Sequence, residues 1–247
     1  MNQESSAPPV VMITGALSGI GFATALAFAA RGAGLVLCDR SLERADDVLT
    51  QVRDAGGEAE VIELDVRDPD ALAAAAAAAV DRWGRLDALV ANAGIADQSS
   101  IATGDPARWR AVVETNLLGA IFSVRAVLPT MLAQRAGHIF VVASVSGRET
   151  YVGEPVYIAS KWGQVGFAHS LRQEVMEAGI RVTLIEPGIV DTPLTRDNPV
   201  VRPLLEAVEP LGPADVARAI VYAFEQPEHV VVSELTIRPV RQPRPEF

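Results

Sequence analysis

A tyrosine and a lysine stand four residues apart, at Tyr157 and Lys161, in a stretch whose apolar spacing predicts a helix. Residues four apart share one face of a helix, so the phenol and the ammonium would lie side by side. A phenol titrates at about pH 10 in water, and a neighbouring positive charge typically lowers such a pKa by about 1–3 units. The pair could therefore act as a general acid and base. Taken alone, the same spacing also fits an ordinary pair on an amphipathic helix.

Lys161 is the only lysine among the 21 Lys and Arg residues of the chain. A chain that otherwise uses arginine would be expected to carry arginine here as well. An ammonium is a compact charge on a flexible stem, whereas a guanidinium is planar and permanently charged. The composition therefore indicates a local chemical requirement for lysine at this position.

A glycine-rich segment, Thr14-Gly15-Ala16-Leu17-Ser18-Gly19-Ile20-Gly21, lies between a predicted strand and a predicted helix. Glycines allow the backbone to approach a pyrophosphate, and a helix N-terminus offers unpaired N–H groups with a partial positive charge. The spacing is G-x-x-x-G-x-G rather than the more familiar G-x-G-x-x-G, and glycines also make ordinary strand–helix turns. The segment is thus a candidate phosphate loop that needs further support.

That support comes from Asp39, which ends the next predicted strand. A carboxylate at this place can accept hydrogen bonds from the ribose hydroxyls of NAD, and it would repel the 2′-phosphate of NADP. Arg40 is the one neighbouring feature that could hold that phosphate or stack on adenine. A simple role for Asp39 at the end of a strand also stays open. We expect NAD as the cofactor, with NADP the less favoured alternative.

The elements that must position these groups alternate regularly along the chain. Short apolar runs predict strands at 10–13, 35–38, 60–64, 87–91, 138–143, 180–185 and 229–235, and helical patterns occupy 20–31, 42–54, 69–83, 106–134, 156–177 and 213–225. Continuous apolar strands are typical of parallel sheets covered on both faces, joined by right-handed crossovers. We therefore predict an α/β fold with a single-domain, Rossmann-type, doubly wound, parallel seven-stranded sheet over residues 10–240. A flexible N-terminal arm, 1–9, precedes it, and a substrate lid occupies about 192–211.

Composition narrows the classes of function. The 247 residues carry a net charge of −10, which disfavours nucleic acid and anionic membranes as partners. Cys38 is the single cysteine, so no intramolecular disulfide can form, as is usual in a reducing compartment. No signal-peptide core, membrane-length apolar run or metal-ligand spacing is evident. We expect a cytoplasmic protein without a metal.

The chemical motifs occur in a fixed order: the 14–21 loop, Asp65-Val66, Asn92-Ala93-Gly94, Asn116, Ser144, Tyr157 with Lys161, and Pro187-Gly188-Ile189-Val190-Asp191-Thr192. In this order they resemble the short-chain dehydrogenase/reductase family over roughly residues 10–239. The resemblance implies hydride transfer between a nicotinamide cofactor and a small-molecule secondary alcohol or ketone.

The resemblance also implies residue roles. Tyr157 would be the general acid/base, Ser144 would hydrogen-bond the substrate oxygen, and Asn116 would fix a water that links Lys161 to solvent. Asp65 would accept from the adenine amino group. The implied or expected cofactor-binding residues are Gly15, Ser18, Gly19, Ile20, Gly21, Asp39, Arg40, Asp65, Val66, Asn92, Gly94, Tyr157, Lys161, Pro187, Gly188, Val190 and Thr192. The substrate-pocket candidates are Ile95, Ser146, Glu154 and Leu194, and Glu154 fits a solvated loop carboxylate equally well.

Two other functions remain open at this point. One is an NADPH-dependent carbonyl or 3-oxoacyl-carrier-protein reductase, and the other is a dinucleotide-binding regulator without catalysis. The resemblance further implies a homo-oligomer, which we expect to be a tetramer. Its contacts would involve apolar residues on the outer faces of the two long helices, namely Leu118, Phe122, Val165 and Phe167.

Overall fold

The computed structural model describes residues 7–198 and 201–243. Within them, seven strands form one sheet: β1 Val10–Thr14, β2 Gly34–Asp39, β3 Glu58–Glu63, β4 Ala88–Ala91, β5 Gly137–Val142, β6 Ile180–Pro187 and β7 Glu234–Ile237. The strand order is β3-β2-β1-β4-β5-β6-β7, and every neighbouring pair is parallel. The order reverses between β1 and β4, where open sheets of this kind form a crevice at the carboxyl ends of their strands. The predicted doubly wound parallel sheet is confirmed.

Helices cover both faces of the sheet. The described helices are α1 Gly19–Ala29, α2 Ala45–Asp54, α3 Pro69–Trp83, α4 Pro106–Val113, α5 Gly119–Gln134, α6 Pro155–Val175, α7 Pro193–Arg196, α8 Arg202–Val208 and α9 Pro213–Phe224. In β1, Val11 and Ile13 pack on the side of α1, α2 and α9, whereas Val10 and Met12 pack on the side of α3, α5 and α6. Burial on both faces is why the strand is a continuous apolar run.

The segment predicted as one helix, 106–134, is interrupted by a π-helical turn, Glu114–Leu118, between α4 and α5. Such turns insert one residue into a helix and often lie at functional sites. Asn116 lies within the turn.

By length and composition alone, Pro106–Gln134 could cross a membrane, with a mean hydropathy of 1.5 over its most apolar window. Val124, Val127 and Met131 of α5 are nevertheless buried in the cluster that packs against the sheet. Of that window 39% is buried, so the segment packs into the core with part of its surface, and its length and composition alone are weak evidence of a membrane span.

The last strand lies further along the chain than the predicted 229–235. Pairing with β6 begins only at Leu184 and Glu234. Before Glu234, backbone carbonyls of the chain accept hydrogen bonds from side chains of β6. Thr183 Oγ1, for example, donates to the Val232 carbonyl at 2.7 Å. The apolar run at 230–232 is thus held beside the sheet without continuing its backbone ladder.

Two other predictions concern segments that are only partly described. Residues 1–6 of the predicted arm lie outside the described residues, as do 199–200 of the predicted lid. The rest of the lid contains two short helices, α7 and α8, which its four prolines had obscured in the sequence.

The predicted outer apolar face is only partly correct. Val165 is buried in the core, and Phe122 and Phe167 pack partly against it. Leu118 is exposed, and so is Trp162, which the sequence indicated as either a core or a subunit-contact residue. The core-facing side of α6 extends further round the helix than expected.

Candidate active site

The carboxyl ends of the central strands open into one cavity of about 320 Å³. It brings together most of the predicted site residues: Gly15, Ser18, Gly19, Ile20, Asp39, Arg40, Asp65, Val66, Asn92, Gly94, Ile95, Ser144, Tyr157, Lys161, Pro187, Gly188, Val190, Thr192 and Leu194. Four predicted residues, Gly21, Asn116, Ser146 and Glu154, do not belong to its lining. The positions of these four residues, described below, explain why they do not line the cavity.

The first turn of α1 faces the cavity without a side-chain cap and without an acidic residue. Gly15 and Gly19 adopt φ values of 62° and 52°, a left-handed conformation that favours glycine. At Gly21 a β-carbon would lie 2.1 Å from the Gly15 carbonyl oxygen. Gly21 therefore allows α1 to pack directly against the Gly15 carbonyl. The unpaired N–H groups at the start of α1 suit an anion such as a pyrophosphate.

Asn92 and Thr14 join the ends of β4 and β1. Asn92 Nδ2 donates to the carbonyls of Thr14 and Gly15 at 3.0 and 3.1 Å. Thr14 Oγ1 accepts from the backbone N–H groups of Asn92 and Ala93, both at 3.1 Å. Asn92 thus fixes the glycine loop. The role of Thr14 could have been anticipated from a hydroxyl at the last position of an otherwise apolar strand.

Asp39 is held at the end of β2 by two backbone donors. Its Oδ1 accepts from the Arg40 N–H at 2.8 Å, and its Oδ2 accepts from the Leu17 N–H at 3.0 Å. Arg44 supports the same loop, because its Nη1 donates to the Leu17 carbonyl at 2.7 Å. Since a carboxylate oxygen can accept more than one bond, Asp39 retains capacity toward the cavity that it lines.

Asp65 has a partner that the sequence analysis missed. Arg67 Nη2 donates to Asp65 Oδ2 at 2.6 Å, and the Arg67 N–H donates to Oδ1 at 2.9 Å. These bonds from Arg67 lower the pKa of the Asp65 carboxyl. The carboxylate therefore lines the cavity as an ionised acceptor. Only the two-residue spacing of opposite charges could have indicated the pair.

Lys161 is buried, and its ammonium is fixed from two sides. Nζ donates to the Val142 carbonyl at 3.2 Å and to Gln164 Oε1 at 2.9 Å. Nζ also lies 5.7 Å from the centre of the Tyr157 ring. Gln164, on the same helix and fully enclosed, was not identified from the sequence. Burial lowers the pKa of Lys161 to about 7.

The pKa of Tyr157 differs from the expectation. Burial raises it to about 12, the hydrogen bond with Ser144 works in the opposite direction, and the charge of Glu154 raises it further. The four-residue spacing had predicted that Lys161 lowers this pKa. That expectation was wrong for the described geometry because desolvation of the phenol dominates and the ammonium is turned toward β5 and Gln164.

Ser144 begins a 3-10 turn, Val145–Gly147, directly after β5. Its Oγ accepts from the Ser146 N–H at 3.1 Å, so its own proton is free to be donated toward Tyr157 or a substrate. Ser146 itself is buried and does not line the cavity. The prediction of Ser146 as a pocket residue is therefore replaced by a backbone role in orienting Ser144.

Asn116 supports the cavity wall from behind. Its Oδ1 accepts from the Ile95 N–H at 2.9 Å, and its Nδ2 donates to the Ile95 carbonyl at 3.0 Å and to Ser160 Oγ at 3.1 Å. The side chain is fully buried, so it holds Ile95 against α6. The π-helical turn places the amide where both partners can be reached.

Glu154 precedes α6 and leaves the helix end uncapped by its side chain. Among the described residues no hydrogen bond or ion pair to its carboxylate is seen. Burial raises its pKa to about 7. It is neither a cavity-lining residue nor a fully solvated carboxylate, but a half-buried acid close enough to influence Tyr157 electrostatically.

The segment predicted as a lid begins with Thr192, which lines the cavity together with Pro193 and Thr195. Thr195 Oγ1 donates to the Val190 carbonyl and accepts from the Thr192 N–H at 3.0 Å. Thr195 was missed because its contacts depend on the turn into α7. Over residues 7–198 and 201–243, no group of three or more His, Cys, Asp or Glu side chains could hold a metal ion.

Comparison with known sequences shows similarity over almost the whole chain. The family model described as short chain dehydrogenase matches residues 9–200. An uncharacterized oxidoreductase of Staphylococcus saprophyticus is 37% identical over 234 residues, covering 94% of this chain and 97% of its own. An uncharacterized oxidoreductase of Listeria monocytogenes is 35% identical over 241 residues, covering 95% and 97%.

Solved structures show the same similarity. A metagenomic short-chain oxidoreductase in complex with NADP is 32% identical with a TM-score of 0.82, covering 96% of this chain and 99% of its own. An alcohol dehydrogenase from the archaeon Thermococcus sibiricus, complexed with 5-hydroxy-NADP, is 28% identical with a TM-score of 0.87, covering 97% and 99%. Levodione reductase is 29% identical with a TM-score of 0.86, covering 93% and 96%.

Proposed function

The chain belongs to the short-chain dehydrogenase family of oxidoreductases, and from that premise we propose that it interconverts a secondary alcohol and a ketone with NAD as the cofactor. The observation that carries the proposal is the meeting of two sets of groups in one cavity. The uncapped end of α1 and Asp39 line it together with Ser144, Tyr157 and Lys161.

The residues present fit a nicotinamide dinucleotide. The glycine loop would hold the pyrophosphate, Asp39 the adenosine ribose, and Asp65 the adenine amino group. Val190 and Thr192 would hold the carboxamide of the nicotinamide. When bound, the cofactor supplies or accepts the hydride.

The chain's own chemistry is the movement of one proton at the substrate oxygen. In reduction the Tyr157 hydroxyl donates it, and the Ser144 hydroxyl hydrogen-bonds the same oxygen and stabilises the charge that develops there. A pKa of about 12 keeps the phenol protonated at neutral pH and ready to donate. In oxidation the same phenol must lose its proton, which the Lys161 ammonium would favour after turning from Val142 and Gln164 toward the phenol oxygen.

The preference for NAD is supported by Asp39, whose carboxylate would meet a 2′-phosphate at short range. A specific observation favours the second candidate, an NADPH-dependent carbonyl reductase. Arg40 lines the same cavity, and two structurally similar proteins were solved with NADP or a derivative of it. Initial rates with NAD and NADP on one substrate distinguish the two candidates.

The activity is tested by measuring turnover of a panel of secondary alcohols and ketones with each cofactor. The absorbance of the reduced nicotinamide reports the rate. The matched variant is Tyr157→Phe, which should bind the cofactor normally and lose turnover. Tight cofactor binding without turnover of any alcohol or ketone would instead indicate a dinucleotide-binding regulator.

We also propose a homotetramer in the cytoplasm. The exposed apolar residues Leu118 and Trp162, together with the partly buried Phe122, support association through the long helices. Light scattering at micromolar concentration tests this, since a species of 26.2 kDa would be a monomer and would contradict it.

A further inference from the structure

The chain beyond β7 folds back across the turn that follows β6. The Gly188 N–H donates to the Ile237 carbonyl at 2.7 Å. The next N–H, that of Ile189, donates to Gln242 Oε1 at 2.9 Å. A side chain close to the C-terminal end of the described residues therefore completes the backbone hydrogen bonding of this turn.

Gly188 gives Gln242 the space that it occupies. A β-carbon at Gly188 would lie 2.0 Å from Gln242 Oε1 and 3.2 Å from Pro239 Cδ. The φ of Gly188 is not positive, so backbone conformation does not require glycine here. A β-carbon would instead displace the Gln242 amide from its present position. Gly188 also lines the cavity, between Pro187 and Val190.

The same segment is anchored to the other wall of the site. Arg238 Nη2 donates to Glu149 Oε1 at 2.6 Å, and the two side chains are only 17% and 12% exposed. Tyr151 Oη donates to the other oxygen of Glu149 at 2.7 Å. Glu149 and Tyr151 belong to the stretch that connects Ser144 with Tyr157. A charge-assisted bond with little exposure is a firm anchor for the segment that carries Gln242.

We propose that Gln242 is a positioning residue for the nicotinamide half of the cofactor site. Its amide oxygen fixes the Gly188–Ile189 backbone, and this backbone sets the position of Val190 and of the wall beside Lys161. The Arg238–Glu149 pair holds Gln242 in place. This inference rests on the proposed function, because it assigns the 187–192 wall to the nicotinamide.

Two ligands distinguish an effect of Gln242 on the nicotinamide half of the site from an effect on the whole site. NADH occupies both halves of the site, whereas ADP-ribose lacks the nicotinamide. Gln242→Ala should raise the dissociation constant for NADH at least fivefold and change that for ADP-ribose less than twofold. Gln242→Glu, which keeps an acceptor oxygen at the same reach, should recover most of the NADH affinity. Arg241→Ala, at the exposed neighbouring position, is the matched control and should bind both ligands as the wild type does.

Titration by the fluorescence of NADH and by calorimetry for ADP-ribose gives both constants without a substrate. Unchanged NADH affinity in Gln242→Ala, or equal weakening of both ligands, would overturn the inference and leave the proposed function intact. A wild-type protein that does not bind NADH would overturn the proposed function itself. If Gln242→Ala does not fold, Gln242→Asn tests the same contact, since its shorter side chain cannot reach the Ile189 N–H.

Discussion

Gln164 Oε1 accepts a hydrogen bond from Lys161 Nζ at 2.9 Å, one helical turn further along α6. A second bond, to the Val142 carbonyl, fixes the ammonium between the helix and β5. The Val142 carbonyl and the Gln164 amide oxygen therefore define the space that the ammonium occupies. That geometry suits a compact ammonium better than a planar guanidinium.

Lys161→Arg should lower kcat by about 100-fold, equivalent to about 2.7 kcal/mol in activation free energy. The guanidinium would not fit between Val142 and Gln164, and its permanent charge could not take part in proton transfer. The measurement compares turnover across pH for the variant and the wild type. Arg218→Lys, an exchange at an exposed position of α9, is the control. A variant with wild-type turnover and pH profile would contradict the assigned role of Lys161.

Glu154→Gln should stabilise the protein at pH 8 by about 1–3 kcal/mol and have little effect at pH 4. The folded-state pKa of about 7 lies above the ordinary value of 4.5, so the folded protein holds an extra proton between these pH values. Its stability therefore falls as pH rises through this window, and the uncharged amide does not suffer that loss. Thermal unfolding at both pH values measures the effect.

The control for Glu154→Gln is Glu174→Gln, at an exposed position of the same helix. It should leave the melting temperature nearly unchanged at both pH values. Equal melting temperatures for Glu154→Gln and the wild type at pH 8 would show that the carboxylate is not destabilising when ionised.

Gly21→Ala should abolish measurable NAD binding and destabilise the fold, because the new β-carbon would lie 2.1 Å from the Gly15 carbonyl oxygen and 2.8 Å from Asn92 Nδ2. The Gly15 carbonyl is backbone of the loop, and the Asn92 amide is held by its own bonds to the Thr14 and Gly15 carbonyls. Gly166→Ala provides the contrast, because no atom lies within 4 Å of its new β-carbon. That helix substitution should be neutral or stabilising by up to about 1 kcal/mol. Calorimetric NAD titration and thermal melts report both effects, and normal NAD affinity in Gly21→Ala would refute the loop assignment.

Asp39→Ser should shift the cofactor preference toward NADP by at least tenfold in kcat/KM, a change of about 1.4 kcal/mol. The variant removes a negative charge from the end of β2 and leaves Arg40 beside the cavity. Steady-state kinetics with both cofactors give the ratio. A wild-type enzyme that already prefers NADP tenfold would reverse the cofactor assignment.

The sequence predicted most of the sheet because most strands are short apolar runs, several of them with a chemical group at the carboxyl end. β3, with Glu58, Glu60 and Glu63, is not such a run. Asp39 and Ser144 were recognisable because they lie at the ends of such runs. Gln164 and Gln242 were not, because nothing in their local sequence marks them, and Arg67 was marked only by its two-residue spacing from Asp65. Gln242 meets Ile189 only after β7 has joined the sheet, and the start of β7 itself depends on Thr183 taking the carbonyl of Val232. The high pKa of Tyr157 likewise follows from burial, which a four-residue spacing does not reveal.

The π-helical turn Glu114–Leu118 contains one residue more than a regular helical path from α4 to α5 would need. Deleting one residue there would allow a continuous α-helix and leave α4 and α5 in nearly the same orientation, so the change would be confined to the residues of the turn. Asn116 would then lose the position from which it bonds Ile95 and Ser160. Insertions and deletions in this helix are thus constrained by the position that the Asn116 side-chain amide must keep. A relative could retain the asparagine in an alignment and still lose its contact.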